Sequence, residues 1–398
     1  MYLSSYDSGS GIPGFSVIFH LFQYLRYSSR SILLATRKYR ETYRTCIRNI
    51  AMKLMILLPM LLPLVSQLDM PSSFATVTLR TANQTQSQIR FQAEIITYND
   101  HRLVARLPGG NLKTYAPHDV LSVDIEKNKS HLEADLVFEK GDWAEAERLY
   151  LRALEHELNP KRLWIREELR AQLIKICLTR GDISKSTELF RSLYRLDNQT
   201  RFFHVIPLAW DPMAVPMNSG PLATRWMNNR QSAVTRLIGV SYLIQTPGEK
   251  SATHLLEHDL TKDADPRIRS LARAQLWRNK ITTASLQETR AYHTQVRHIP
   301  RSLRAGPYYL LGKTYFHLRK PQESAMAMLW IPLVYNTHPE LASAAEVHAA
   351  RSLRTIGQHS ESVILLQEVL NRFQTTRASR EARKLLDNWQ SVSTDLQR

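Results

Sequence analysis

Two periodicities divide the chain. Between Thr76 and Glu126 apolar and polar residues alternate with a period near two, in VTLR (77–80), IRFQAEIITY (89–98), HRLVARL (101–107), LKTYA (112–116) and VLSVDI (120–125). Turn-forming residues separate these runs: Asn83-Gln84, Asn99-Asp100, Pro108-Gly109-Gly110 and Pro117-His118-Asp119. The pattern predicts five short antiparallel strands curled into a small β module over 76–126. From Lys127 onward the period becomes 3.6, and amphipathic helices follow one another across short turns. Upstream, Lys53 precedes a 12-residue apolar run from Leu54 to Val65, and Ser73 and Ala75 supply small residues after it. The run falls short of the roughly 18–20 residues that cross a bilayer and contains two prolines. Residues 52–75 are therefore expected to be a secretory signal, with a membrane anchor at 54–65 as the alternative. Residues 1–51 form a basic leader without periodicity, expected to be untranslated or disordered.

The helical part repeats itself. Residues 131–160 place Ala134, Gly141, Trp143, Ala146, Tyr150 and Ala153 in an order that 167–197 echo with Ile174, Cys177, Gly181, Ile183, Ser186, Phe190 and Leu193. Residues 308–331 carry Leu311-Gly312 and Tyr315, and 346–370 carry Ala350, Leu353, Gly357, Ser362, Leu366 and Val369. Two helices pack closely only where the contact holds small residues, and the bulky positions then bury themselves against the next pair. These units, over 127–200 and 301–398, resemble tetratricopeptide repeats, in a chain similar to the exported bacterial type. Their spacings, 40 from Ala134 to Ile174 and 38 from Gly312 to Ala350, exceed the family's period of about 34 and imply longer helices or loops.

Between these blocks, within 221–300, AVTRLIGVSYLI (233–244), SATHLLEHDL (251–260) and ADPRIRSLARAQLW (264–277) resemble HEAT-type helices. Residues 201–220 read as a proline-rich linker in which Trp210, Met213 and Met217 seal the first block, and 379–389 read as a polar-faced capping helix. The β module is similar to small SH3-like barrels and is expected to serve structure or docking. The fold class expected is thus mainly α: a tetratricopeptide- and HEAT-like α-solenoid preceded by an antiparallel SH3-like module and a signal or leader segment.

Composition narrows the chemistry. The 398 residues include only 13 glycines, which disfavours glycine-rich phosphate loops, and two cysteines, Cys46 and Cys177, too few for a disulfide framework or a multi-thiolate zinc site. The net charge is +17. Nine Lys/Arg face a single acid, Glu288, between Arg267 and Arg304. Arg267, Arg269, Arg273, Arg278, Arg297, Arg301 and Arg304 are therefore candidates for an anionic envelope polymer or membrane surface, against the plainer reading of a solvated helix face. An exported protein has little reason to meet nucleic acid, so none is expected as a partner.

His254-Leu255-Leu256-Glu257-His258 has the H-x-x-E-H spacing of a metal-dependent hydrolase, but no downstream acidic ligand helix accompanies it, and solvent-facing residues are expected. Gly306 to Thr314 has five residues between its glycines where a phosphate loop needs four, and fits a helix interior. No catalytic set, metal or cofactor is expected. In tetratricopeptide arrays the first helix of each pair lines a groove, so the resemblance implies that Tyr309, Lys313, Phe316, His317, Val347, Arg351 and Arg354 face inward and hold a peptide carboxylate. The same positions in the first block, His131, Asp135, Phe138, Glu139, Ala171, Lys175 and Leu178, give a mixed surface. The function expected is a non-catalytic exported scaffold or adaptor for a protein or peptide.

Overall fold

The computed structural model describes residues 74–80, 88–211, 215–216, 218–335 and 338–395. The basic leader, most of the expected signal segment, and Met213 and Met217 lie outside the described residues. Strands β1 (Phe74–Arg80), β2 (Gln88–Tyr98), β3 (Leu103–Arg106), β4 (Leu112–Tyr115) and β5 (Val120–Ile125) form one antiparallel sheet in the order β4-β3-β2-β1-β5. The alternation in the sequence becomes its two faces: Ala75, Val77, Leu79, Ala93, Ile95, Leu103 and Ala105 are buried. Strand β1 starts earlier than the run VTLR. Ala75 is 1% exposed and pairs with Ala93 and Ile125, so a cut after Ala75 would remove part of the sheet.

Fourteen α-helices follow among the described residues. They are α1 (Lys129–Glu139), α2 (Trp143–His156), α3 (Leu163–Thr179), α4 (Ile183–Leu196), α5 (Gly220–Met227), α6 (Ala233–Leu243) and α7 (Glu249–His258). Then come α8 (Pro266–Trp277), α9 (Leu286–His298), α10 (Ala305–His317), α11 (Pro321–Val334), α12 (Pro339–Thr355), α13 (His359–Arg372) and α14 (Arg377–Asp395). The small residues picked out above do lie at the contacts: Ala134, Ala146, Ala153, Ser186, Ala350 and Ser362 are fully buried.

Four hairpins share one turn. Gly141, Gly181 and Gly357 have φ of 79°, 74° and 82°. The next amide reaches back to Val137, Cys177 and Leu353 respectively, the six-to-one closure of a helix C-terminus. Between α10 and α11 the same closure runs from Lys320 N to Tyr315 O at 2.9 Å, but the left-handed position is Arg319, at φ 57°. A side chain there is strained where glycine is not. Arg319→Gly is therefore expected to raise stability by about 0.5–1 kcal/mol, after glycine's greater unfolded-state entropy is subtracted. Urea denaturation checks this, and a lower midpoint would contradict it.

The sheet is not a separate lobe. Its buried residues share a core with Ala134, Leu149, Trp164 and Ile165. Lys161 meets Glu94 at 3.1 Å, and the Arg162 guanidinium, 1% exposed, donates to the Glu126 carbonyl at 2.8 Å.

The expected linker is corrected most clearly. Phe203, Val205, Ile206, Leu208 and Ala209 are core residues packed with α3 to α8. Pro207 favours an extended path, and side chains satisfy the polar groups that this path would otherwise orphan. Ala209 N donates to Ser241 Oγ at 3.1 Å, while Ala209 O accepts from Gln275 Nε2 at 3.1 Å and Arg278 Nη1 at 3.0 Å. The Trp210 ring then lies against Gly306, where a Cβ would come within 2.0 Å of it.

Most successive helices pack on one another, with α4 also meeting α6 and α8 meeting α10, but the ribbon is not open. Helix α3 touches α12, and the 3-10 turn Phe203–Val205 touches a second such turn, Arg301–Leu303. His338 Nε2 lies 2.9 Å from the His204 carbonyl oxygen, and Trp143 Nε1 donates to Thr375 Oγ1 at 3.3 Å. The first helix pairs and the last ones therefore meet.

Candidate binding surface on the inner helices

Helices α10 and α12 bring some of the expected groove residues together. Tyr309 is fully buried and donates from its hydroxyl to Asp211 Oδ2 at 2.6 Å. Burial, and next the Asp211 charge, hold this phenol well above its ordinary pKa. Lys313 Nζ sits 3.8 Å from Asp211 Oδ1 and 5.6 Å from the Tyr309 ring centroid. His348 packs edge-on to Tyr309 at 5.6 Å. Burial lowers its pKa to about 4, with the positive Lys313 and Arg351 adding to the effect, so the imidazole is neutral at pH 7. Arg351 pairs with Glu381 at 2.5 Å, and Arg354 lies over the Trp389 ring at 4.3 Å.

Other expected groove residues go elsewhere. Val347 is 1% exposed and belongs to the core formed with Ala350, Leu366 and Val369. Phe316 and His317 are exposed at the end of α10. Sequence reasoning missed Asp211, His348 and Glu381. His348 lies three positions before Arg351, hence on the same helical face, and was findable from the sequence. Asp211 comes from an extended segment distant in the chain and had no local signal.

In the first block the mixed surface is a self-neutralising network. Lys127 meets Asp135 at 2.7 Å and Glu168 at 3.7 Å, Tyr150 donates to Asp135 at 2.7 Å, and Arg201 reaches Glu168 at 3.5 Å. His131 and Ala171 are buried and Glu139 is exposed, while Phe138 packs edge-on against Trp143 at 5.1 Å.

Lys175 stands apart. Its ammonium has no hydrogen-bond or ion-pair partner among the described residues, and burial lowers its pKa, with Glu168 opposing. Its electrostatic neighbours include Glu168, Arg201, His204 and His338. Burial pushes His204 down to about 3, so its ring is neutral near pH 7, and burial also lowers His338.

The basic stretch does not form one face: Arg267 and Arg278 turn into the core, whereas Arg273, Arg297 and Arg301 are exposed on different elements. Arg267 is 6% exposed, pairs with Asp265 at 2.8 Å, donates to the Asn198 carbonyl and covers the Phe203 ring at 4.2 Å. Arg278 is 1% exposed. These two are structural residues rather than anion ligands. Arg269 donates to the Asp263 carbonyl at 2.6 Å, and Arg304 to those of Ile299 and Arg297 at 2.8 and 2.7 Å. Arg273, Arg297 and Arg301 remain exposed, without a carboxylate partner among the described residues.

The His254 and His258 rings lie 4.5 Å apart on the exposed side of α7, Glu257 is also exposed, and no group of three metal-ligating side chains occurs among the described residues. His254 lines an open cleft with Arg230, Arg236 and Lys250. Gly306 to Thr314 lies within α10.

In comparisons with known proteins, no family model matches this sequence and no curated protein shows significant similarity to it. What the coordinates define is the class: a mainly helical, layered array compatible with a helical-repeat architecture, carrying a small five-stranded antiparallel sheet.

Proposed function

We propose that this protein is an exported, non-catalytic scaffold that holds a peptide segment of a partner protein against α3, α10 and α12, with Lys175 anchoring a carboxylate. One observation carries the reading. Lys313 and Arg351 are already neutralised by Asp211 and Glu381, whereas Lys175 has no such partner among the described residues. A cation left unpaired on an inward surface is costly unless something anionic visits it. The tetratricopeptide reading is supported by the shared turn at Gly141, Gly181, Arg319 and Gly357. The SH3-like reading is supported by the strand order and by the 3-10 turn Pro117–Asp119 before the last strand. The sheet's packing against the first helices favours a bracing role for it. Export rests on the charge and apolar run at 53–65.

The test starts with crosslinking and mass spectrometry in the native cell, then measures binding of peptides from the captured partner with free and amidated carboxylates. Lys175→Met is expected to weaken binding by about tenfold, the loss of one charge-assisted contact worth roughly 1.4 kcal/mol. The Lys313→Met/Arg351→Met double variant is expected to have the smaller effect. Unchanged affinity in Lys175→Met would remove this anchor.

A further inference from the structure

Helix α11 carries an apolar row that stays exposed among the described residues. Met326, Trp330 and Leu333, one helical turn apart, are 61%, 45% and 72% exposed. The Trp330 ring stacks on Tyr308 at 6.0 Å and lies 6.4 Å from Tyr335, which itself stacks on Tyr308 at 5.6 Å. Cations left over from the basic stretch lie next to this group: Tyr308 N donates to Arg304 O at 3.0 Å at the start of α10, Arg304 in turn donates to the Arg297 carbonyl at 2.7 Å, and both charges act on Tyr308. Arg297 and Arg301 are exposed, without carboxylate partners among the described residues.

We propose that this face, Met326, Trp330 and Leu333 together with the exposed Arg297 and Arg301 of the segment leading into α10, docks on an anionic lipid bilayer. Charge complementarity selects that occupant, since unneutralised arginines on a chain of net charge +17 sit in the attractive field of an acidic surface. The shape agrees. A single row of three side chains is far narrower than the roughly 800 Å² per partner of a stable protein interface, whereas a bilayer accepts shallow insertion of one helix face. An indole supported by tyrosines suits the boundary between headgroups and acyl chains, and arginine stems can lie along apolar surface while their heads meet phosphate. The α7 cleft also holds cations, but it has no apolar row beside them and Arg236 there is paired with Asp259.

The test is sedimentation of the full chain with vesicles of phosphatidylcholine alone and of phosphatidylcholine with phosphatidylglycerol. Binding is expected only to the acidic vesicles and is expected to weaken steeply with salt. Trp330→Ser/Leu333→Ser should lower it at least about tenfold, with circular dichroism confirming the fold. Arg297→Gln/Arg301→Gln should lower it and flatten the salt dependence. Wild-type affinity in the Trp330/Leu333 variant would overturn the proposal. So would a lipid-independent dimer that this variant disrupts, because the row would then belong to a second copy of the chain. No variant here alters Lys175 or its neighbours, so failure of this test leaves the inner-surface reading standing.

Discussion

Gly239→Ala is expected to destabilise the protein by about 3 kcal/mol, although alanine is the better helix former by about 1 kcal/mol. A Cβ at this position of α6 would stand 2.4 Å from Met227 N, 2.5 Å from Ala223 O and 2.9 Å from the Trp226 carbonyl carbon. All three are backbone atoms of α5 or its last residues, so relief requires moving one helix away from the other. That opens a core containing Ala223, Trp226, Leu237 and Ile238. Gly312→Ala is the control. The three atoms nearest its Cβ would all belong to the Met328 side chain, Cε and Cγ at 2.8 Å and Sδ at 3.0 Å, so relief needs a new rotamer of an unbranched thioether rather than movement of a backbone. The Gly312 variant is expected within about 1 kcal/mol of the parent. Thermal unfolding of the two proteins checks the difference, and equal midpoints would contradict the backbone clash.

Arg278→Ala is expected to cost about 4 kcal/mol, from a cavity and from buried acceptors left without a donor. The guanidinium donates through Nη1 to Ala209 O at 3.0 Å, Ser241 O at 2.5 Å and Gln275 Oε1 at 3.0 Å. It thereby pins the extended segment before Trp210 to α6 and α8. Burial lowers its pKa to about 10, so it remains a cation at neutral pH. Removing a buried charge also recovers desolvation energy, which limits the loss when volume is kept. Arg278→Met is therefore expected to cost only about 2 kcal/mol. Denaturant titration separates the two, and a fully stable Arg278→Ala would show that the segment is held some other way.

Particular residues show what the sequence made legible. The alternation in 89–98 and 101–107 became β2 and β3 because only one face of the sheet is buried, which fixes which residues point inward. Hairpins marked by glycine were readable because the left-handed turn needs glycine. The α10–α11 turn was less so, since Arg319 occupies that position under strain. Phe202 to Trp210 was misread because Pro207, with Pro212 and Pro216 just after it, carries the local signal of a linker. Its burial depends on donors from Gln275 and Arg278, which no local pattern announces. For the same reason the pairing of Lys313 and Tyr309 with Asp211 was hidden. Charge counting likewise placed Arg267 and Arg278 on a surface, though each ends in the core among acceptors supplied by other elements.

Together these features make the inner surface a product of closure. Lys175 comes from α3, His204 from the extended segment's first turn, and His338 from the start of α12. The direct test of closure is proximity of the first and last helix pairs, using Trp143→Cys/Thr375→Cys in a Cys46→Ser background. Cys177 can stay, since it is buried and its thiol is pushed up to about 11. A short bis-maleimide at high dilution is expected to link positions 143 and 375 within one chain, because the native side chains touch at 3.3 Å. No intramolecular link, under conditions where both thiols react with a monofunctional maleimide, would mean an open ribbon and would contradict the account.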